Sequence, residues 1–297
     1  MKIIEPSELV INGDGSVFHL HIRPEQLTDN ILLVGDPARV TLLREILTGV
    51  ENVSQNREFV SVTGFFKGKK IMLLSTGIGT DNIDIVMNEL DALANIDFKA
   101  RTLKKERRSL KILRLGTSGA IQPDIPTGTL VYSSYSAGID GLLNWYKGRD
   151  EVCDLEMEKA FVGHMDWSPQ LATPYFVRNS EKIEKGFGNT VRGITLSAPG
   201  FYGPQGRVIR LSLADPDYLA KLASFRYNGL RIINFEMEGS AIAGLSGLLG
   251  HEGATVCVII AQRNNKDMNV DYKDLMLKKA EQAIEGLIME ETAVEKI

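Results

Sequence analysis

Short, near-continuous apolar runs recur along the chain and limit its fold more than any other feature. They read ILLVG at 31–35, IMLLSTG at 71–77, ILRLG at 112–116 and TVCVIIA at 255–261. Unbroken Val, Ile and Leu of this length suits strands covered on both faces. Helical patterns lie between these runs. Asp36 and Pro37 provide an N-cap and a first-turn proline for a helix to about Leu47. Asp81 opens a second helix through Leu93, and MEGSAIAGLSGLLG after Glu236 has the small, apolar character of a buried one. Near the C-terminus, Leu275, Ala280, Ala283, Ile284, Leu287 and Ile288 share one helical stripe. Strand–helix alternation predicts an α/β fold around a mainly parallel or mixed central sheet. With 297 residues, 43% of them hydrophobic, and no Ser/Pro/Gly-rich tract between two halves, residues 1–297 read as a single domain.

The net charge of −4 argues against general affinity for nucleic acid or an anionic membrane, while leaving room for a small anionic substrate held by local arginines. The two cysteines, Cys153 and Cys257, have no metal or redox motif, and Cys257 lies in an apolar run that suits a buried thiol. The opening MKIIEPSELVINGDGSV lacks the basic and apolar regions of a signal peptide, and no apolar stretch is long enough to span a bilayer. The four histidines make no zinc spacing. A cytoplasmic protein with neither nucleic-acid nor membrane partner is expected. Between 99 and 111, seven Lys/Arg residues face one acid, Glu106. The run reads as a solvated helix or loop, the alternative being a nucleic-acid or partner patch.

Ligands of open α/β sheets sit beyond the carboxyl ends of strands, so the strand ends are searched first. At 31–39, ILLVGDPAR sets Gly35 for close backbone approach to a ligand and Arg39 in the first helical turn or, taken alone, reads as ordinary turn chemistry. At 112–122, ILRLGTSGAIQ sets Arg114, a glycine, Thr117 and Ser118 together as an oxyanion subsite or, alternatively, as a glycine turn with a hydroxyl cap. It is neither a dinucleotide fingerprint nor a P-loop. In INFEMEGSA, Glu236 and Glu238 flank Met237 at a strand–helix junction, where carboxylates among apolar residues require donors such as ribose hydroxyls, the alternative being a capped, solvent-facing turn. The loop APGFYGPQGRV, otherwise an ordinary Gly/Pro loop, carries Phe201 to stack a base, Gln205 to match an imide edge and Arg207 to bond a carbonyl.

Taken in order, GDPxR, REF at 57–59, STGIG at 75–79, RLGTSGAIQ, GFYxxQxR and FEMEG resemble the nucleoside phosphorylase superfamily, phosphorylase family 1, and within it bacterial uridine phosphorylases. The resemblance covers nearly the whole chain, from VFHL at 17–20 to AQR at 261–263. It implies an α/β fold with a mixed, barrel-like central sheet flanked by helices, in a homo-oligomer: a dimer, or a hexamer built as three dimers. It further implies a phosphate subsite of Gly35, Arg39, Arg114 and Thr117, with Arg57 completing the subsite of a neighbouring copy. His19, unremarkable on its own, would reach across the same interface to the ribose 5′-hydroxyl. Met237 and Glu238 would hold the ribose with Glu236 in support, and Phe201, Gln205 and Arg207 the base, with Arg263 behind them through water. Arg114, Arg207 and Glu238 would carry catalysis.

The reaction so implied is phosphorolysis of uridine to uracil and α-ribose 1-phosphate. Inorganic phosphate is co-substrate and no organic cofactor is required. Purine members use an aspartate after the last strand, whereas Gln262, Arg263, Asn264 and Asn265 stand here, with no acid until Asp267. The alternatives are a purine or broad-specificity phosphorylase, a nucleosidase that uses water, and a non-catalytic nucleoside-binding protein. Three arginines argue against the nucleosidase. Some details depart from the pattern: Gly203-Pro204 is reversed, Gly239 stands where serine is common, and a potassium site at the dimer interface would rest on Glu58, Ile78 and Asn82, the last in place of serine.

Overall fold

The first half of the chain builds β1 (Asn30–Val34), α1 (Pro37–Leu43), β2 (Thr48–Asn56), β3 (Phe59–Phe66), β4 (Lys69–Ser75) and α2 (Thr80–Asn95). A small hairpin of β5 (Ile96–Asp97) and β6 (Thr102–Leu103) precedes β7 (Lys111–Ala120). Next come β8 (Leu130–Gly138), α3 (Arg149–Val152), α4 (Leu155–Met165), β9 (Tyr175–Arg178), α5 (Glu181–Glu184) and β10 (Val191–Ser197). The last part holds α6 (Tyr218–Ser224), β11 (Arg226–Tyr227), β12 (Leu230–Glu236), α7 (Gly239–Leu249), β13 (Glu252–Gln262), β14 (Asp267–Met268) and α8 (Lys273–Ile288). This computed structural model describes residues 2–263, 267–268 and 273–289. Asn264 and Asn265 lie outside the described residues, and of Asp267 only the strand backbone is described.

The four apolar runs are β1, β4, β7 and β13. In β1, Ile31 and Leu33 join one core with Val86 and Leu90 of α2 and Ile242 of α7. The intervening Leu32 and Val34 join a second core with Val40 of α1 and Ala280 and Ile284 of α8. Helices on both faces thus explain why the strand sequence does not alternate. The terminal stripe buries Ala280, Ala283, Ile284 and Leu287, with Leu275 and Ile288 partly buried.

Helix ends follow local chemistry. Asp36 caps α1 by accepting from the Ala38 amide at 2.9 Å. The α-helix ends at Leu43, short of the expected Leu47, and a tighter turn over Arg44–Ile46 leads into β2. α2 starts at Thr80, one residue before Asp81, because Gly79 at φ +99° makes its cap.

Strand β1 runs parallel to both β4 and β7. β7 is parallel to β13, which pairs antiparallel with β8. β8 and β12 flank β10, both parallel to it. β12 then returns antiparallel to β7 through Asn234↔Ala120 and Phe235↔Gly119. That pairing closes β7, β13, β8, β10 and β12 into a barrel, from which β1, β4, β3 and β2 extend as a wing. The expected mixed, barrel-like sheet flanked by helices is therefore present. Its interior holds a polar file: Ser133 and Thr195 lie 2.5 Å apart, Thr195 donates to Asn234 at 2.8 Å, and Asn234 donates to Ser118 at 2.9 Å. Fully paired, such a file fixes the relative positions of its strands.

The basic 99–111 stretch forms a turn, the short β6 and a loop into β7 rather than a helix, and several of its charges satisfy main-chain carbonyls. Arg101 donates to the carbonyls of Ile4, Glu5 and Leu9, clasping the N-terminal arm. Lys104 donates to Leu93 and Ala94 at the end of α2, where a cation also suits the helix dipole. Arg108 bonds Asp29 and the Leu27 carbonyl. No described helix is long and apolar enough to cross a membrane.

Candidate active site

A cleft of about 460 Å³ opens where β1, β4 and β7 meet the β12–α7 junction and the loop after β10. Gly35 and Arg39 reach it because β1 ends there and Asp36 turns the chain into α1. Arg39 Nη2 lies 3.3 Å from Thr117 Oγ1 on β7. Gly77 ends β4 beside Gly35, its amide donating to the Gly35 carbonyl at 2.9 Å.

Arg114 stands on the floor, 5% exposed. The apolar run suggests a strand that ends at Gly116, but Gly116, Thr117 and Ser118 lie inside β7, which continues to Ala120. Gly116 serves a different purpose. Residues i and i+2 share a strand face, and a Cβ at Gly116 would overlap Arg114 Nη1. The missing side chain lets the guanidinium lie down along its own strand.

Two buried carboxylates hold that guanidinium. Nη2 donates to Glu238, and Nη1 lies 3.3 Å from Glu236 Oε2. Nε and Nη1 are buried and have no hydrogen-bond acceptor among the described residues. The carboxylates differ in what else they do. Glu236 accepts from the Ser197 hydroxyl, the Glu238 amide at 2.9 Å and the Gly239 amide, so it caps the start of α7. Glu238 accepts from the Gly79 amide at the start of α2, at 2.8 Å. Burial works against charge on Arg114, yet Glu238 and then Glu236 hold it above its ordinary pKa. Burial likewise pushes the Glu238 carboxyl up, and Arg114 opposes that shift. Beside them, burial drives the Cys257 thiol up to about 12, leaving an inert core thiol as read from the sequence. Gly239 fits for a local reason: its Cβ position is 3.1–3.3 Å from Thr255, Glu236 and Ser136 side-chain oxygens, so a serine there would crowd them.

The other end of the cleft is built by the 198–208 loop. The Arg207 guanidinium stacks on Phe201, 3.7 Å from the ring centroid. It also donates to Gln205 Oε1 at 2.6 Å. Gln205 is 3% exposed, and Arg263 Nη2 donates to its carbonyl at 3.0 Å. Burial, then the neighbouring Arg263, lower Arg207 to about 10, so it stays charged at neutral pH.

The structure thus brings Gly35, Arg39, Arg114, Thr117, Phe201, Gln205, Arg207, Glu236, Met237 and Glu238 to one cleft, with Arg263 immediately behind. His19 and Arg57 do not line it. Arg57 is exposed in the turn between β2 and β3 at φ +52°, a left-handed conformation uncommon for arginine. His19 Nδ1 lies 2.7 Å from Glu89, which also accepts from the His19 and Leu20 amides. The sequence reading passed over Glu89. Its signal is a carboxylate on the buried stripe of α2, between Val86 and Leu90, where a donor is required. Ser197 and the Gly79 amide were missed as well, for their roles depend on pairings no local pattern announces. Glu58 and Asn82 converge on Gly77, whose Cβ would meet Glu58 Cγ at 2.9 Å, while Ile78 is exposed.

Comparison with known proteins agrees with this geometry. The model of the Phosphorylase superfamily matches residues 30–290. A uridine phosphorylase of Thermococcus kodakarensis is 28% identical over 84% of this chain and 79% of its own length. That of Haemophilus influenzae is 28% identical over 85% and 88%. A DeoD-type purine nucleoside phosphorylase of Buchnera aphidicola is 24% identical over 84% and 88%. Among solved structures, a Trypanosoma brucei nucleoside phosphorylase, described as showing uridine phosphorylase activity, superposes with a TM-score of 0.80 at 27% identity, covering 94% of this chain and 98% of that one. The chain belongs to the Phosphorylase superfamily and is a nucleoside phosphorylase, a pentosyltransferase.

Proposed function

We propose that the chain is a uridine phosphorylase, converting uridine and phosphate reversibly to uracil and α-ribose 1-phosphate. One observation carries this reading: a buried arginine held by two carboxylates and a glutamine–arginine pair line one cleft together with Met237. Gly35, Arg39, Arg114 and Thr117 would hold phosphate, Met237 and Glu238 the ribose, and Phe201, Gln205 and Arg207 the uracil with Arg263 behind. Glu236 supports Glu238 through its amide.

A phosphate oxygen attacks C1′ from below as the C1′–N1 bond breaks above, inverting C1′. The bonding pair leaves on N1, the uracil anion spreads its charge over its carbonyls, and solvent returns a proton. Arg114 and Arg39 position the nucleophile, and Arg207 faces the charge on the departing base. Groups already aimed at that charge need no reorganisation as it develops.

His19 and Arg57 lie outside their own chain's cleft, which supports a site shared between two copies in a homodimer or a hexamer of dimers. Glu58, the Ile78 carbonyl and Asn82 would fill part of a potassium shell at that interface, with the second copy supplying the rest. One domain over residues 1–297 and a role in cytoplasmic pyrimidine salvage complete the reading. The purine reading keeps support from the DeoD-type relative, but Gln205 and Arg207 match an imide edge that purine nucleosides such as adenosine lack. The test is phosphorus NMR of enzyme with uridine and phosphate. Inorganic phosphate should convert to α-ribose 1-phosphate as uracil appears; free ribose with phosphate unconsumed would mean a nucleosidase.

A further inference from the structure

The Arg114–Glu238 pair has a property that the reaction scheme does not use. Both groups are nearly enclosed, at 5% and 3% exposure, and both line the cleft. Glu236 has its own donors in Ser197 and the amides of Glu238 and Gly239. The Glu238 carboxylate accepts from the Gly79 amide and from Arg114 Nη2. Two carboxylates therefore share one guanidinium, and Glu238 depends on it more.

An anion bound in the cleft beside Arg114 approaches Glu238 as a like charge. It also competes for the positive charge that neutralises Glu238, in a site with little water to screen the repulsion. Burial already disfavours charge on Glu238. A hydroxyl that donates to Glu238 offsets that loss. On a nucleoside this hydroxyl is the ribose 2′-OH, and 2′-deoxynucleosides lack it.

We propose that the Arg114–Glu238 pair couples the two subsites, so that phosphate and a 2′-hydroxyl nucleoside each strengthen the binding of the other, making this enzyme selective for ribonucleosides when phosphate is bound. The proposal rests on the uridine phosphorylase reading above. Linkage makes the coupling reciprocal: whatever factor the nucleoside gives phosphate, phosphate gives the nucleoside. Glu238 is then a restraint on phosphate in the empty site as well as a ribose ligand.

The experiment is calorimetric titration of inorganic phosphate into the native enzyme, alone and saturated with pseudouridine or 2′-deoxypseudouridine. Their C–C glycosidic bonds resist phosphorolysis and they differ only at the 2′ position. Pseudouridine should tighten phosphate binding by about 5-fold or more, and the deoxy analogue by less than about 2-fold. Glu238→Gln should bind phosphate more tightly than wild type in the empty enzyme and lose the pseudouridine effect. Equal effects of the two analogues overturn the proposal, without reference to any variant. Weaker phosphate binding by a folded Glu238→Gln also overturns it, because Glu238 would then be a brace for Arg114. Failure of the native enzyme to consume uridine with phosphate sinks the underlying reading instead; normal turnover without coupling sinks only this inference.

Discussion

At the scale of single residues, the site depends on what is missing at Gly116. Its Cβ would occupy the place of Arg114 Nη1, so Gly116→Ala must push the guanidinium off its strand and away from Glu236 and Glu238. Displacing such a group by about 1 Å costs on the order of 100-fold, so kcat/KM for uridine should fall by roughly that factor. The KM for phosphate should rise, while thermal stability changes far less than for loss of Arg114. Steady-state kinetics at varied phosphate checks this, and wild-type constants would show that Arg114 does not need its glycine. Arg114, its glycine, the two glutamates and the Gln205–Arg207 pair were legible in sequence because each is a chemical type that its local pattern does not otherwise explain. The sequence places the end of β7 at Gly116, since a strand interior and a strand end look alike when glycine is followed by hydroxyls. Glu89, Ser197 and Arg101 were not legible: their partners stand 70, 39 and more than 90 residues away.

At the scale of elements, the apolar runs announced β1, β4, β7 and β13 because each is buried on both faces, and the Asp-Pro cap announced α1. The antiparallel return of β12 to β7, which closes the barrel, left no such mark. It is set by two residue pairs that depend on the rest of the sheet already being in place. The C-terminal helix was visible in its stripe, yet the way it docks was not. At Gly286, α8 meets the one-turn helix Lys185–Phe187, where a Cβ would come 2.6 Å from Phe187 Cζ. Gly186 faces Gly286 across the same contact. Gly286→Ala gains helix propensity but overpacks this seam, and the second effect is larger. It should destabilise the protein by about 1–3 kcal/mol, visible as a lower midpoint in urea unfolding at unchanged slope. An unchanged or raised midpoint would mean that the helix tolerates displacement there.

At the scale of the whole molecule, His19 and an exposed, left-handed Arg57 lie away from their own chain's cleft, and the proposed function assigns them to the site of a second copy. Mixing inactive Arg57→Ala with inactive Glu238→Ala, after subunit exchange, should restore some activity, because mixed dimers contain one site free of both lesions. Exchanged mixtures that stay inactive would place both residues in one site or in none. Which bond the enzyme breaks, and with what, is decided at the base and at phosphate. In the proposed function Gln205 and Arg207 pair with an imide edge, and a base lacking that edge leaves the buried Gln205 and half-buried Arg207 unsatisfied. Cytidine replaces the O4 acceptor by a donor and removes the N3 proton. The direct measurement is the rate of base release from uridine, cytidine and inosine, each with and without phosphate. The account predicts rapid release from uridine only in phosphate, with kcat/KM for cytidine and inosine lower by orders of magnitude. Equal rates for uridine and inosine, or release that does not depend on phosphate, would contradict it.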